Sequence, residues 1–338
     1  MIRFARGIVR QVLSERPGAQ EIEVLADGLG RQVINYIDLM GRVESGEEVV
    51  LNTTAVELDL GTGGYDFVVW RSGASSQGDS MPHEEALVKM RYSPFQKAFR
   101  AGELELPEDA NIEGVPVVAC ELHSQAAAVA AGALSKRTAW VINDSAALPA
   151  CISRLMPQLR SLGWVCGTVT SGQAFGGDYE AASLHSALLI AKHLLGAEVV
   201  IVSPGPGSAG TGHKWGFSGL SQVEALHAAH ALGGRPIACI RASEADQRPR
   251  HQGVSHHSRT ILQQAVFVQC AIAAPEGKAA MLAEFDRHEI AEVEIEPALQ
   301  LLRKSLPNLA SMGRTVDQDR LFFDFALAAG VLAQKAAF

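Results

Sequence analysis

Two stretches of this 338-residue chain concentrate side chains able to do chemistry. The first is Arg241-Ala242-Ser243-Glu244-Ala245-Asp246-Gln247-Arg248-Pro249-Arg250-His251, followed by Ser255-His256-His257. Arginine forks suit bidentate recognition of carboxylates and phosphates, and neutral histidines serve as acid–base groups or metal ligands. No HExxH and no H-x-E with paired cysteines occurs, so a divalent metal stays open but unspecified. The bland alternative is a solvated basic loop, with Ser255 capping a helix that starts at His256 and Asp246 pairing locally.

The second stretch, Gly205 to Lys214, is glycine-rich and follows an apolar run. Gly205, Gly207 and Gly210 fit GxGxxG, but Pro204 and Pro206 remove amide donors and no helix begins there. The acidic residue about 20 positions on, Glu224, falls inside a helical pattern. NAD and FAD are therefore disfavoured. A P-loop also fails, because His213 separates Gly212 from Lys214 and no Ser or Thr follows the lysine. What survives is a loop whose amides, with Thr211 and Lys214, could cradle a small anion. The alternative is that its glycines merely permit positive φ. There is no G-x-S-x-G elbow, which argues against that class of hydrolase and leaves Thr170 or Ser171 as another sort of nucleophile. His185, His193, His227 and His230 lie on helical patterns and read as packed or surface histidines.

These residues need elements to position them. From about residue 113 short apolar runs alternate with helical stretches of about 10–15 residues, the mark of βαβ units and a parallel sheet covered on both faces. The runs are Val115–Cys120, Ala139–Ile142, Trp164–Val169, Val199–Val202 and Pro236–Ile240; the helices are expected over Gln125–Leu134, Pro149–Leu162, Ala181–Leu195 and Leu220–Leu232. Further on, Val266–Ile272 and Ala291–Ile295 read as strands and Asp317–Lys335 as a helix. Each of the first five strands runs into a polar or glycine-rich segment, whereas the opposite connections, such as Leu195-Gly196-Ala197, are short and plain. In a parallel sheet those segments all leave the carboxyl edge, where open α/β sheets bind ligands.

Residues 1–70 instead carry short β-branched runs separated by turn signals such as Pro17-Gly18 and Asp27-Gly28, as a small barrel requires. Arg71 to Pro82 is polar and Gly/Ser-rich, a linker or exposed loop. The expected organisation is α/β: a small N-terminal all-β barrel-like domain (1–70), a connecting segment (71–112), and a doubly wound, mostly parallel sheet (113–338). No internal repeat is evident.

Hydrophobic residues make up 47% and charged residues 20%, which excludes a disordered or coiled-coil chain and permits a large core. No apolar run of about 18 residues and no signal-like start occurs, so neither a membrane span nor export is expected. The five cysteines, Cys120, Cys151, Cys166, Cys239 and Cys270, show no CxxC, and four lie in strand-like runs. A reduced, cytoplasmic protein follows. The net charge of −8 argues against nucleic acid or anionic membrane as partner. Between His213 and Arg259, however, six Lys/Arg stand against three Asp/Glu, with six of the eleven histidines. That island suits a small anion.

The stretches LNTTAVELDLGTGGYDFVVW, KMRYSPFQ, ELHSQ, TSGQAFGGDYEA, GPGSAGTGHKWGFSG and RASEADQRPRHQGVSHH resemble an uncharacterised bacterial family, the domain-of-unknown-function family 3866, nearly end to end. The resemblance implies one shared architecture and brings no activity, cofactor or catalytic residue. It implies Thr at the positions of His213 and Ser258, which makes His213 a variable neighbour of the loop.

The reading favours an enzyme acting on a small anionic metabolite, carboxylate- or phosphate-bearing, at the carboxyl edge. The pool for an acid or base is His123, Asp144, Asp178, Asp246, His251 and His256. The expected ligand-binding set is Ser171, Gln173, Gly205, Gly207, Gly210, Thr211, Gly212, Lys214, Arg241, Ser243 and Arg248. A non-catalytic sensor and a structural homo-oligomer are the competing classes. A catalytic site should hold a histidine–carboxylate pair within hydrogen-bond reach, whereas a sensor needs only arginines and amides.

Overall fold

The computed structural model describes residues 1–60, 63–73 and 81–336. Most of the polar stretch expected as a linker, 71–82, lies outside them. The chain forms two compact units, Met1–Ala98 and Phe99–Phe338.

In the first unit, β1 (Phe4–Arg16), β2 (Ala19–Ala26), β3 (Leu29–Tyr36), α1 (Ile37–Met40), β4 (Glu48–Asn52), α2 (Thr54–Glu57) and β5 (Asp66–Arg71) follow in order. The strands close into a barrel of order β1-β2-β3-β5-β4, in which β3 and β5 are the parallel neighbours. The first half of β1 alternates exposed and buried, as period-2 geometry demands. Its interior is filled by Val9, Ile22, Val24, Val33, Val49 and Leu51. Two short strands follow, β6 (Ala86–Lys89) and β7 (Lys97–Arg100), paired with each other.

The second unit is built on β8 (Pro116–Ala119), α3 (Gln125–Gly132), β9 (Thr138–Asn143), α4 (Leu155–Ser161), β10 (Gly167–Ser171), β11 (Tyr179–Ala181), α5 (Leu184–His193), β12 (Val199–Pro204), α6 (Ser221–Ala231) and β13 (Arg235–Ala238). A hairpin, β14 (Ala242–Ser243) with β15 (Gly253–Val254), leads into α7 (His256–Thr260) and then β16 (Ala271–Pro275), β17 (Glu289–Val293) and α8 (Glu296–Ser305). A last hairpin, β18 (Ala310–Ser311) with β19 (Arg314–Thr315), precedes α9 (Arg320–Ala336).

The sheet has eight strands in the order β11-β10-β9-β12-β8-β13-β16-β17, and every neighbouring pair is parallel. Strands buried on both faces read as continuous apolar runs, and β9 and β12 are buried at every position. Side chains alternate between two cores. Val117, Ala119, Val141 and Val202 pack with α5 and α6, whereas Val118, Trp140, Ile142 and Ile201 pack with α3, α8 and α9. The layer of α3 is tight because its sequence, QAAAVAAG, is small throughout. A Cβ on Gly330 of α9 would stand 2.1 Å from the Val129 carbonyl oxygen, so glycine there is what lets the two helices meet.

The doubly wound organisation sends neighbouring strands to opposite faces of the sheet around β8. After β8 the chain turns to the α3 face, but after its neighbours β12 and β13 it turns to the α6 face. The carboxyl end of β8 therefore opens between connections that diverge, the switch point at which such sheets bind ligands.

Two elements differ from the sequence pattern. The helix expected over 149–162 is a turn at Ala150–Ile152 followed by α4, because Ser153 is extended and its hydroxyl accepts the Met156 amide, 3.0 Å, as a fresh cap. The strand expected over 266–272 is instead β16, five residues later. Arg287 Nη2 donates to the carbonyls of Leu262 and Val266, satisfying that backbone outside any ladder. The cysteines Cys120, Cys166, Cys239 and Cys270 each stand one residue beyond a strand end rather than within it, and all five cysteines but half-buried Cys166 are buried. Burial raises the Cys239 thiol well above its usual range and pushes that of Cys270 up to about 12.

Candidate functional site

Glu121 occupies the switch point. The apolar run of β8 ends at Ala119, and two residues on the chain places a carboxylate side chain that is 2% exposed. Two buried glutamines, one from each helical layer, hold the strand ends around it. Gln125 of α3 accepts the amides of Glu121 and Leu122 at 2.9 and 3.0 Å and donates to the Ile240 carbonyl. Gln222 of α6 donates to the carbonyls of Ala119 and Cys239 at 2.6 and 2.9 Å. Gly219 leaves room for the side chain, since a Cβ there would lie 2.3 Å from Glu121 Cγ.

Glu121 Oε1 accepts from Arg241 Nη1 at 2.7 Å and lies 2.5 Å from His257 Nδ1. Arg241 follows β13, and the β14–β15 hairpin returns the chain so that the Ser255 amide donates to the Arg241 carbonyl at 2.8 Å. Burial alone would push the Glu121 carboxyl up, but the His257 hydrogen bond and the Arg241 charge outweigh it and hold the group below the ordinary carboxylate range. Arg241 Nη1 also lies 3.2 Å from His257 Nδ1, but the shorter 2.5 Å contact with an ionised carboxylate assigns the proton to Nδ1. The Nε2 lone pair is left available. His257 also stacks on Phe217, ring centroids 3.7 Å apart and planes 5° from parallel, which fixes the ring. Glu121 Oε2 is buried without a hydrogen-bond partner.

His251 and His256 complete a cluster of three imidazoles. Ring centroids are 4.9 Å apart for His251–His256 and His251–His257, and 4.3 Å for His256–His257. One ring nitrogen from each lies within 4.8 Å of those of the other two. Ser255 caps α7 by accepting the His257 amide and also meets His251 Nδ1 at 2.8 Å. His256 Nε2 is buried with no partner. Burial, helped by the Arg241 and Arg248 charges, lowers His251 to about 3; burial and His257 lower His256 to about 4. Both are neutral at pH 7, with lone pairs free to coordinate a metal.

The other expected residues separate into those near this edge and those used elsewhere. His123 is at the edge, but both its nitrogens are engaged, Nδ1 with the Pro204 carbonyl at 3.0 Å and Nε2 with Ser153 Oγ at 2.7 Å. Burial holds it near 4, a neutral packing histidine. Asp144 is exposed after β9 and accepts the Gln173 amide at 2.9 Å, which joins the β9 and β10 loops; Ser171 ends β10 and is buried. Asp178 is not at this edge. Because β11 runs parallel to β10, the intervening loop must return to the amino edge, where Asp178 binds the Thr168 amide at 2.7 Å and pairs with Arg160. Asp246 and Arg248 pair bidentately with each other, at 2.9 and 2.8 Å, and that bond pulls Asp246 far below the carboxylate range. Ser243 donates to Asp319 Oδ2 at 2.7 Å. Arg241 and Arg248 thus have carboxylate partners within the chain.

The glycine loop after β12 partly closes on itself. The Thr211 amide donates to the Gly216 carbonyl, Gly216 to that of His213, and Ser218 to that of Ala209. The Thr211 amide expected in an anion cradle is therefore already engaged. Gly205 passes against the Ala147 backbone, Gly207 has a φ of 91°, and Gly210 bridges to Phe217. Gly212 accepts Arg250 at its carbonyl, and Lys214 lies exposed over the Trp215 ring.

The central residues Glu121 and His257 are absent from the expected set. A signal existed: a carboxylate directly after a run of β-type apolar residues has nowhere to go but the sheet edge. Its partner, 136 residues away, stands in the histidine-rich stretch the sequence singles out, but nothing local marks it above His251 and His256 as the residue that meets Glu121.

A family model described as a protein of unknown function (DUF3866) matches residues 32–330. No curated protein and no solved structure matches the chain.

Proposed function

The chain belongs to the DUF3866 family, and because that description carries no activity, we propose from the geometry that it is an enzyme acting on a small carboxylate- or phosphate-bearing metabolite at the carboxyl edge of its parallel sheet. The observation that carries this reading is the buried Glu121–His257 pair at the switch point. A carboxylate on Nδ1 selects one tautomer, orients the ring and stabilises positive charge developing on it. His257 Nε2 is the functional nitrogen in this assignment, as a base or as a ligand to an ion that activates the reacting group. Glu121 also neutralises Arg241, so the proposed anion would be met by the open parts of the glycine loop, Gly207 and Gly210, and by Lys214.

The test pairs binding with turnover. A panel of phosphorylated and carboxylated small metabolites is screened for thermal stabilisation of the purified chain, and those that bind are followed for consumption by NMR. The expected result is that a stabilising metabolite is consumed. His257→Ala should cut consumption by at least about 100-fold, the usual scale of acid–base help, while the stabilisation persists. Binding with no consumption of any bound compound would favour the sensor reading instead.

A further inference from the structure

Two packed histidines elsewhere, His123 and His288, have both ring nitrogens occupied. His123 bonds the Pro204 carbonyl and Ser153 Oγ. His288 bonds the Leu262 carbonyl through Nε2 and meets Cys270 through Nδ1. His251, His256 and His257 do not follow that pattern. In His251 and His257 the Nδ1 atoms are held by Ser255 and Glu121, whereas no hydrogen bond to either Nε2 is found among the described residues. His256 Nε2 is buried and has no hydrogen-bond partner among the described residues. A buried imidazole nitrogen without a partner is costly, and His256 stands beside two rings whose Nε2 atoms are unbonded, all three centroids within 4.9 Å of one another, an arrangement that calls for a common occupant.

We propose that His251, His256 and His257 are the three protein ligands of one divalent first-row transition ion of the zinc class. Three points define the site. An all-imidazole set selects zinc, copper, nickel or iron over magnesium and calcium, which require oxygen donors. Three protein ligands leave a fourth position open, the arrangement of reactive rather than purely structural zinc. The outer partners are also in place: Glu121 on His257 forms the carboxylate–histidine–metal relay and Ser255 orients His251, so both are positioning residues. Zinc–nitrogen bonds of about 2.0–2.1 Å put tetrahedral ligand atoms roughly 3.3 Å apart, so nitrogens now within 4.8 Å close by at most about 1.5 Å on binding. The three histidines lie after β13, on the edge to which the enzyme reading assigns its anion, and the two proposals fail separately, since metal uptake needs no turnover.

The experiment is titration of the chelator-treated full-length chain with Co²⁺, followed by its visible d–d absorption and by displacement with Zn²⁺. One ion per chain is expected, with an intense band lost on adding zinc. His256→Ala and His251→Ala abolish the band, and they weaken uptake beyond the 10–100-fold that loss of an outer partner alone causes. Glu121→Gln keeps the band and weakens uptake by about 10–100-fold. His230→Ala, at an exposed histidine of α6, changes nothing. Should His251→Ala fail to fold, His256→Ala on a partly exposed ring decides the matter. Absence of saturable uptake by the wild-type chain, or uptake and band unchanged in His256→Ala, overturns the proposal.

Discussion

His257 Nδ1 and Glu121 Oε1 meet at 2.5 Å across 136 residues of sequence, and Arg241 joins the same oxygen at 2.7 Å. The junction ties the end of β8 to α7 and to the segment after β13, so the site and a stability determinant of the sheet are one object.

Breaking the charged pair should be costly. The side chains of Arg241 and Glu121 are 7% and 2% exposed, and removing one partner of a pair so buried leaves the other uncompensated, a loss of about 3–5 kcal/mol. Glu121→Ala and Arg241→Ala should each lose about that much in urea unfolding, and the double variant clearly less than the sum. Single losses below about 1 kcal/mol would show that the pair is solvated rather than sealed.

Gly219→Ala probes the same carboxylate from the other side. The new Cβ would sit 2.3 Å from Glu121 Cγ, so the side chain must move or the turn Ser218–Leu220 before α6 must shift. Overpacking of this kind costs about 1–3 kcal/mol. Combining it with Glu121→Ala removes the clash, so the pair of substitutions should be strongly non-additive by calorimetry.

Acid should weaken the fold before it disrupts carboxylates. His123 has a folded-state value near 4 against an ordinary 6.5, because burial disfavours its charged form. Between those values the unfolded chain binds the extra proton, so stability is complete above about pH 6.5 and falls as pH drops toward 4. His251 and His256, near 3 and 4, act in the same direction. Urea midpoints measured from pH 7.5 down to 4.5 should decline through that window, and His123→Gln should show a shallower decline. A flat profile in the wild-type chain would contradict the assignment.

Asp178 is the negative control. Held at the amino edge by Thr168 and Arg160, it is out of reach of the proposed chemistry. Asp178→Ala should leave turnover and metal uptake unchanged within about twofold, while lowering the melting temperature modestly. A collapse of turnover with the fold intact would return Asp178 to the site.

Much of the fold was legible because its signal is local. Continuous apolar runs such as Ala139–Ile142 and Val199–Val202, each followed by polar residues, identify parallel strands and the edge they share. His251, His256 and the capping role of Ser255 were readable for the same reason, being close in sequence. The rest depended on relations that no local window contains. Asp178 was misplaced because three residues, Tyr179–Ala181, form a strand too short to show a period, and that strand reverses the loop before it. Arg241 and Arg248 looked like free cations because their partners are decided by packing, not by spacing. Asp246 lies two residues from Arg248, but Glu121 lies 120 from Arg241.

That internal neutralisation has a consequence for how a ligand reaches the edge. With Arg241 matched by Glu121 and Arg248 by Asp246, the cationic island projects little field into solvent. Long-range attraction is what salt screens within about 10 Å, whereas contacts made at close range are largely immune to it. Capture of an anion here should therefore be governed by fit on arrival, with an association rate nearly independent of ionic strength, on a chain whose net charge of −8 would otherwise repel it.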